Sequence, residues 1–325
     1  MIRNKKVGFM MKQNRIFAFL TALALGAALT GCGNTSAEGS ENTDGKKTVK
    51  IAYLPITHAL PVFEAAEELK ASDDELQVEL VKYGSWPELL DALNTGRVDG
   101  ASVLIELAMK SKQEGIGIKA VALGHKDGNV IVTNDSVQKA EDLKGKTFAI
   151  PHRQSSHNIL LNDALAQAGL TVDDVNVTEL SPPEMPSALA SGQIDGYCVA
   201  EPFGAKAVTI NAGHVLYSSE ELWQDSLCCG LVLTDDFIEN RTEDASHFVQ
   251  SYKEAGKNLT PAKAKEIAVE YLQQDDAVLD LSLKWIRYDD LEITADTYQV
   301  LFDKVKEYGL SDNPPTYEEF VKNDF

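Results

Sequence analysis

The sequence predicts an α/β protein built as a clamp, with two similar lobes, two hinge crossings of the chain between them, and a helical C-terminal segment. Three observations predict it. The chain repeats itself at a constant offset of 96 residues. Each copy alternates apolar strands with helices, the pattern of a parallel sheet covered on both faces. The body, from about residue 48 to residue 325, is too long for one small core and suits two.

The N-terminal stretch sets the compartment. Arg3, Lys5, Lys6, Lys12 and Arg15 precede any acid, the first being Glu38, and an apolar run covers 16–29. A bilayer-spanning helix needs about 20 apolar residues, so this shorter run predicts a signal peptide. It ends Leu29-Thr30-Gly31-Cys32, which resembles the lipobox of bacterial lipoproteins. That resemblance implies a lipoprotein signal peptide over 1–31, diacylglycerol on the sulfur of Cys32, and an extracytoplasmic protein anchored to the cell membrane. Residues 33–47 contain no aliphatic side chain larger than Ala. They bury too little surface to offset ordering entropy, so 32–47 is expected to be a flexible tether.

The repeat carries the body. Pro87, Glu88, Ala92, Leu93, Gly96, Asp99 and Gly100 recur as Pro183, Glu184, Ala188, Leu189, Gly192, Asp195 and Gly196. Pro55 with Pro151 and Gly117 with Gly213 share the offset, making nine identities without a gap. In copy one a strand over 49–53 leads to a helix over 58–71, a second strand over 76–82, a short helix ending at a Gly stop, and a third strand over 98–103. Copy two follows the same plan, with strands over 147–150, 175–180 and 194–199 and a helix over 156–169. The Asp of each Asp-Gly pair is expected to turn the chain into the third strand. Two similar segments, 130–135 (Val-Ile-Val-Thr-Asn-Asp) and 231–236 (Leu-Val-Leu-Thr-Asp-Asp), follow the two copies and read as paired hinge strands. Lobe one is then 48–133 plus 231–325, and lobe two 134–230. Helical periodicity over 245–259, 261–273 and 295–308 predicts a C-terminal part that packs back on lobe one, with Pro261 starting its helix.

Charge and cysteines exclude some classes. The formal net charge is −20, and losing the five basic residues of the leader takes it to −25. Such a chain does not suit nucleic acid or an anionic membrane surface. Cys32, Cys198, Cys228 and Cys229 show no framework spacing, and adjacent cysteines rarely pair because the ring is strained. The last three read as small buried apolar residues. Nucleophile-elbow, zinc-protease, phosphate-loop and dinucleotide-binding motifs are absent, so a binder rather than an enzyme is expected, with no cofactor.

Four pieces of the chain carry a resemblance: 53–61 (YLPITHALP), 86–88 (WPE), 142–146 (DLKGK) and 195–203 (DGYCVAEPF). With them, nearly the whole mature chain is similar to the nitrate/sulfonate/taurine-type substrate-binding proteins of ABC importers. The resemblance implies a type II periplasmic-binding fold that closes on a small, anionic solute and docks, as a monomer, on ABC permease and ATPase subunits. In open α/β sheets ligands sit beyond the carboxyl ends of the strands. That rule selects the loops 55–60, 84–86 and 102–106 in lobe one and 152–157, 182–184 and 200–203 in lobe two.

The candidate ligand-binding residues follow from those loops: Thr57, His58, Trp86, Ser102, Arg153, Gln154, Ser155, His157 and Glu201. The run His152-Arg153-Gln154-Ser155-Ser156-His157 opens a helix, where free N–H groups favour an anion and a serine can cap. Trp86 and His157 match, by resemblance, ligand-contacting residues of nitrate-binding members, whereas Cys228 stands where those members use a Lys. Glu106 and Glu201 suit a cationic or amine-bearing solute. A transition-metal importer is the rival reading, because His58, His125, His157, Cys228 and Cys229 could converge on zinc, although no pair has ligand spacing. A pyrimidine precursor is a further alternative, and an enzyme on the same fold a remote one.

Overall fold

A computed structural model describes residues 45–325. The leader, Cys32 and most of the tether lie outside the described residues. No described helix is long and apolar enough to cross a membrane.

The chain runs β1 (Lys47–Tyr53), α1 (Leu60–Ala71), β2 (Leu76–Lys82), α2 (Trp86–Asn94), β3 (Gly100–Leu104), α3 (Ile105–Gln113) and β4 (Ile118–Leu123). A short β5 (Lys126–Asp127) precedes β6 (Asn129–Thr133), β7 (Thr147–Ile150), α4 (Ser156–Gln167), β8 (Asn176–Glu179), α5 (Met185–Ala190), β9 (Gly196–Ala200), α6 (Phe203–Thr209), β10 (His214–Ser218) and α7 (Ser219–Leu222). Then come β11 (Cys229–Thr234), α8 (Asp235–Asn240), α9 (Thr242–Asn258), α10 (Pro261–Leu272), α11 (Asp276–Ser282), β12 (Ile286–Arg287), α12 (Ala295–Glu307) and α13 (Tyr317–Phe320).

Two five-stranded sheets result, in the orders β2-β1-β3-β11-β4 and β10-β6-β9-β7-β8. Each is a parallel trio, one antiparallel strand, β11 or β6, beside the trio's last member, and a fifth strand, β4 or β10, antiparallel to that one in turn. The central strands β3, β11, β6 and β9 are buried along their whole length. That is why they read as near-continuous runs of Val, Leu, Ile and Ala. Edge strands β2 and β8 are partly exposed and carry Glu, Gln, Lys and Asn.

The duplication is visible in bonding. Lys50 N–H donates to the Asp99 carboxylate at 2.7 Å while Asp99 N–H donates to the Lys50 carbonyl at 2.9 Å. Thr147 and Asp195 repeat both bonds at 2.9 and 2.7 Å. The Asp before each third strand therefore stitches the start of that strand to the first one, beyond merely turning the chain. Gly96 and Gly192 both stop their helices at φ near +70°, where a Cβ would strain the backbone. The 96-residue offset holds at these points and slips by one residue in the first strands, so Pro55 and Pro151 are out of register.

The two similar segments are not a pair. Residues 130–133 belong to β6 in the second sheet, and 231–234 belong to β11 in the first. They occupy the same slot in opposite sheets, which explains their likeness: both must be apolar on two faces. The chain crosses between sheets at 124–128 and again at 219–228, and β5 there pairs with β12.

The C-terminal part packs α9 along α1 and ties Lys322 N–H to Ala120 of β4. Phe63 of α1 stacks on Tyr271 of α10 at 4.4 Å. It also reaches the second sheet's side, beyond the sequence expectation. Lys304 of α12 pairs with Asp163 of α4 at 2.8 Å, Tyr308 donates to the same carboxylate at 2.6 Å, and Gln154 donates to the Leu310 carbonyl at 2.7 Å.

Candidate functional site

Where the two crossings meet the carboxyl edge of the first sheet, four side chains converge. His58 sits in a 3₁₀ turn (Thr57–Ala59) directly after β1. His125 follows Gly124 on the first crossing, and Cys228 and Cys229 enter β11 on the second. All four are fully buried. One donor atom from each lies within 4.8 Å of all the others.

The backbone explains the convergence. Gly124 N–H donates to the Cys229 carbonyl at 2.8 Å, and Ile105 N–H to the Cys228 carbonyl at 2.8 Å. A Cβ on Gly124 would come within 2.8 Å of the His58 carbonyl and 3.2 Å of the Cys229 carbonyl. Glycine alone lets these three segments touch.

The bonding fixes the imidazole of His58. Its Nε2 lies 3.0 Å from the Gly128 carbonyl, which can only accept, so Nε2 carries the proton. Nδ1 then offers its lone pair towards Cys229 Sγ at 3.4 Å and Cys228 Sγ at 3.7 Å. The two sulfurs stand 3.8 Å apart and form no disulfide. His125 stacks on His58 with ring centroids 3.5 Å apart. Burial, followed by the proximity of His58, holds His125 down at about 4, so it is neutral near pH 7. Burial opposes ionisation of Cys228, but the Cys229 hydrogen bond and the nearby imidazoles of His157, His58 and His125 outweigh it and carry the thiol well below its usual range. Cys229 moves the other way, first through burial and then through its bond to Cys228.

A shell of buried polar groups surrounds Cys228. Glu106 opens α3, and neither of its carboxylate oxygens has a partner among the described residues. Burial, then Cys228, raises it well above the carboxylate range. His157, the second residue of α4, leaves both ring nitrogens unpartnered, and burial lowers it to about 4. Ser156 Oγ and Asn129 Nδ2 are also buried without partners, and the Cys228 thiol donates to the Asn129 side-chain amide oxygen at 3.6 Å. Trp86 Nε1, at the start of α2, is a further buried donor without a partner among the described residues. Buried polar atoms are nearly always hydrogen-bonded, so this concentration marks a place arranged for something else to bind.

Among the sequence candidates, His58 joins the cluster and His157 flanks it. Trp86 is buried at the end of the loop after β2, and Ser102 is buried inside β3. The remaining five are engaged elsewhere. Thr57 donates from both N–H and hydroxyl to the Glu201 carbonyl, at 2.9 and 3.0 Å. Glu201 uses its carboxylate to accept from Ala205 N–H at the start of α6. Ser155 caps α4 through Asn158 N–H. Gln154 is tied to Leu310, and Arg153 is exposed, donating to the Val177 carbonyl. The charged donor expected for an anion thus faces outward. Cys228 and Cys229, read as apolar filling, and His125 are the residues whose place was underrated. His125 lies over a hundred residues from the two adjacent cysteines, so the set carries no spacing signal, and the Gly128 carbonyl that orients His58 carries none at all.

A sequence profile of the NMT1-like family matches residues 42–273. The ligand-binding component of an ABC-type import system from Staphylococcus aureus, solved with zinc bound, is 40% identical, covers 86% of this chain and 97% of its own, and has a TM-score of 0.82. The periplasmic nitrate-binding protein NrtA from Synechocystis is alike in fold at 16% identity, with 81% of this chain and 82% of that one covered and a TM-score of 0.73. The nitrate/nitrite binding protein NrtA of Nostoc sp. is 26% identical over 258 residues, covering 72% of this chain. The chain spans 58% of that relative's length and 37% of the nitrate import ATP-binding protein NrtC of Synechocystis sp., to which it is 27% identical. The strand orders and these likenesses make the fold a two-lobed type II periplasmic-binding fold. With a family profile matched over most of its length and 40% identity to a solved import-system component across the aligned 86% of the chain, this chain belongs to the NMT1-like family.

Proposed function

We propose that this chain is the extracytoplasmic, lipid-anchored solute-binding component of an ABC importer, that it binds without turnover, and that its solute is a zinc-class metal cation. One observation carries the metal: the spacing of its donor atoms. Zinc bonds of about 2.3 Å to sulfur and about 2.0–2.1 Å to nitrogen, arranged tetrahedrally, require edges of roughly 3.8 Å between sulfurs and roughly 3.5 Å between sulfur and nitrogen. The sulfurs are 3.8 Å apart, and His58 Nδ1 lies 3.4 and 3.7 Å from them. The donors are two imidazoles and two thiols, the set zinc prefers. The 40%-identical relative solved with zinc supports the same reading.

Binding would expel the Cys229 proton, and with Cys228 already disposed to ionise two thiolates would neutralise the ion, so a buried site is tolerable. His125, held neutral near pH 7 by burial, has no extra proton to shed on coordinating. Glu106 and His157 close over Cys228 from different sheets, which ties occupancy to lobe closure. Entry requires the lobes to part, because every donor is buried. Cys32, by its resemblance to a lipobox, would hold the body near its permease.

An oxyanion is the second reading, favoured by the names of the nitrate-binding relatives and by the start of α4. It would have to sit beside Glu106 with Arg153 turned away. The test is to strip the purified protein with a chelator and titrate it with zinc, nitrate and an alkanesulfonate. One zinc per chain, with competition-resistant affinity lost in His58→Ala and Cys229→Ser, is expected. Saturable binding of nitrate or sulfonate by the stripped protein, without zinc binding, would replace the metal by an anion.

A further inference from the structure

Beside the crossings lies a cleft of about 720 Å³ that shares no residue with the metal set. Asp127 of the first crossing, Ser219 and Glu220 of the second, and Trp285 before β12 line it, with Val215 and Lys284 beside them. Its size falls within the range of small-molecule sites.

Two side chains more than nine-tenths buried leave polar atoms free in its wall. Asp127, 5% exposed, gives one carboxylate oxygen to Arg287 at 2.9 Å, while its Oδ1 has no partner among the described residues. Ser219, 1% exposed, leaves its Oγ unpartnered. Nearby Glu221 is occupied by Ser218, and Asp225 by Arg287. Glu220 is exposed and makes no ion pair among the described residues. The wall thus carries four carboxylates, Asp127, Glu220, Glu221 and Asp225, against two cations, Lys284 and the Arg287 that bridges Asp127 and Asp225, so it keeps an excess of two negative charges, with the apolar faces of Val215 and Trp285 in the same lining.

We propose that this cleft binds an aliphatic di- or polyamine. Ammonium groups separated by methylenes match carboxylates separated by apolar wall, and the Trp285 indole adds a cation-attracting face. The occupant touches both crossings and the segment just before β12, so it bears directly on the hinge.

The test is isothermal titration of the full chain with putrescine and spermidine at roughly physiological salt, where diffuse attraction to an acidic surface is screened. One saturable site is expected, weakened about tenfold or more in Asp127→Asn and in Glu220→Gln. Asparagine tolerates the left-handed backbone of Asp127 (φ +60°), and Glu220 is a surface position, so both variants should fold. Glu243→Gln, in a separate acidic cleft, should bind like the parent. Heat without saturation, or equal affinity in the parent and both cleft variants, or equal weakening in Glu243→Gln, overturns the proposal.

Discussion

Gly124→Ala tests whether backbone contact assembles the metal set. The added methyl would stand 2.8 Å from the His58 carbonyl oxygen and 3.2 Å from that of Cys229. Ordinary carbon–oxygen contact starts near 3.4 Å, so the strands must separate by roughly half an ångström. Overpacking of this kind costs about 1–3 kcal/mol. Gly124 is not in the left-handed region, so alanine should regain about 0.4–1 kcal/mol by restricting the unfolded chain. The net loss is then about 1–2 kcal/mol, a drop of roughly 2–8 °C in Tm for a protein this size. The same shift moves His58 away from Cys229, and a 3.4 Å edge that lengthens by half an ångström no longer fits zinc. Zinc affinity should fall at least about tenfold, more than the stability change would predict. Differential scanning calorimetry and chelator competition on the same preparation give both numbers. A variant that melts like the parent and holds zinc as tightly would refute the idea that this close approach builds the site.

Three other outcomes follow from the bonding. Asp195→Ala removes the carboxylate bond to Thr147 and should cost about 1.5–3 kcal/mol in urea unfolding, with Asp195→Asn milder; equal stability of all three would deny the stitch a role. Glu201 is raised to about 8 by burial, so the folded protein holds a proton there that the unfolded chain has released by about pH 4.5; stability from this group is therefore lost as pH rises from about 4.5 to about 8, by up to about 1.4 kcal/mol per pH unit. Glu201→Gln should flatten that decline between pH 5 and 9, and an unchanged slope would count against it. Tyr308→Phe and Asp163→Asn cut the ties from the C-terminal segment to α4, and should speed zinc release about three- to tenfold in stopped-flow chelation; an unaltered rate would mean the strap does not hold the lobes together.

Much of the fold was legible because it is duplicated. The Gly stops and the Asp-Gly pairs mark fixed geometry twice, so the repeat exposed two sheets before any strand was paired. The roles of 130–135 and 231–236 were not legible, because a buried antiparallel strand and a hinge strand have the same apolar composition. The site was only partly legible. His58 and His157 fell in loops that the carboxyl-edge rule selects. His125, Cys228 and Cys229 meet through the two crossings, a tertiary event that leaves no local period. Arg153 misled because its charge suits an anion in composition, while its guanidinium donates to the Val177 carbonyl on the surface and Glu179 holds only its backbone N–H.

The slot that β11 fills in the first sheet has a consequence for how the molecule is made. The second sheet draws all five strands from one continuous stretch, Asn129–Ser218, whereas the first waits for Cys229–Thr234 to enter between β3 and β4. A chain emerging N-terminus first can finish its second sheet while the first still has two bare inner edges, over a hundred residues from their missing partner. Those edges are apolar and ready to pair with any strand they meet. The half made earliest is thus the half completed last, and the two cysteines reach the histidines only in the same step that closes it.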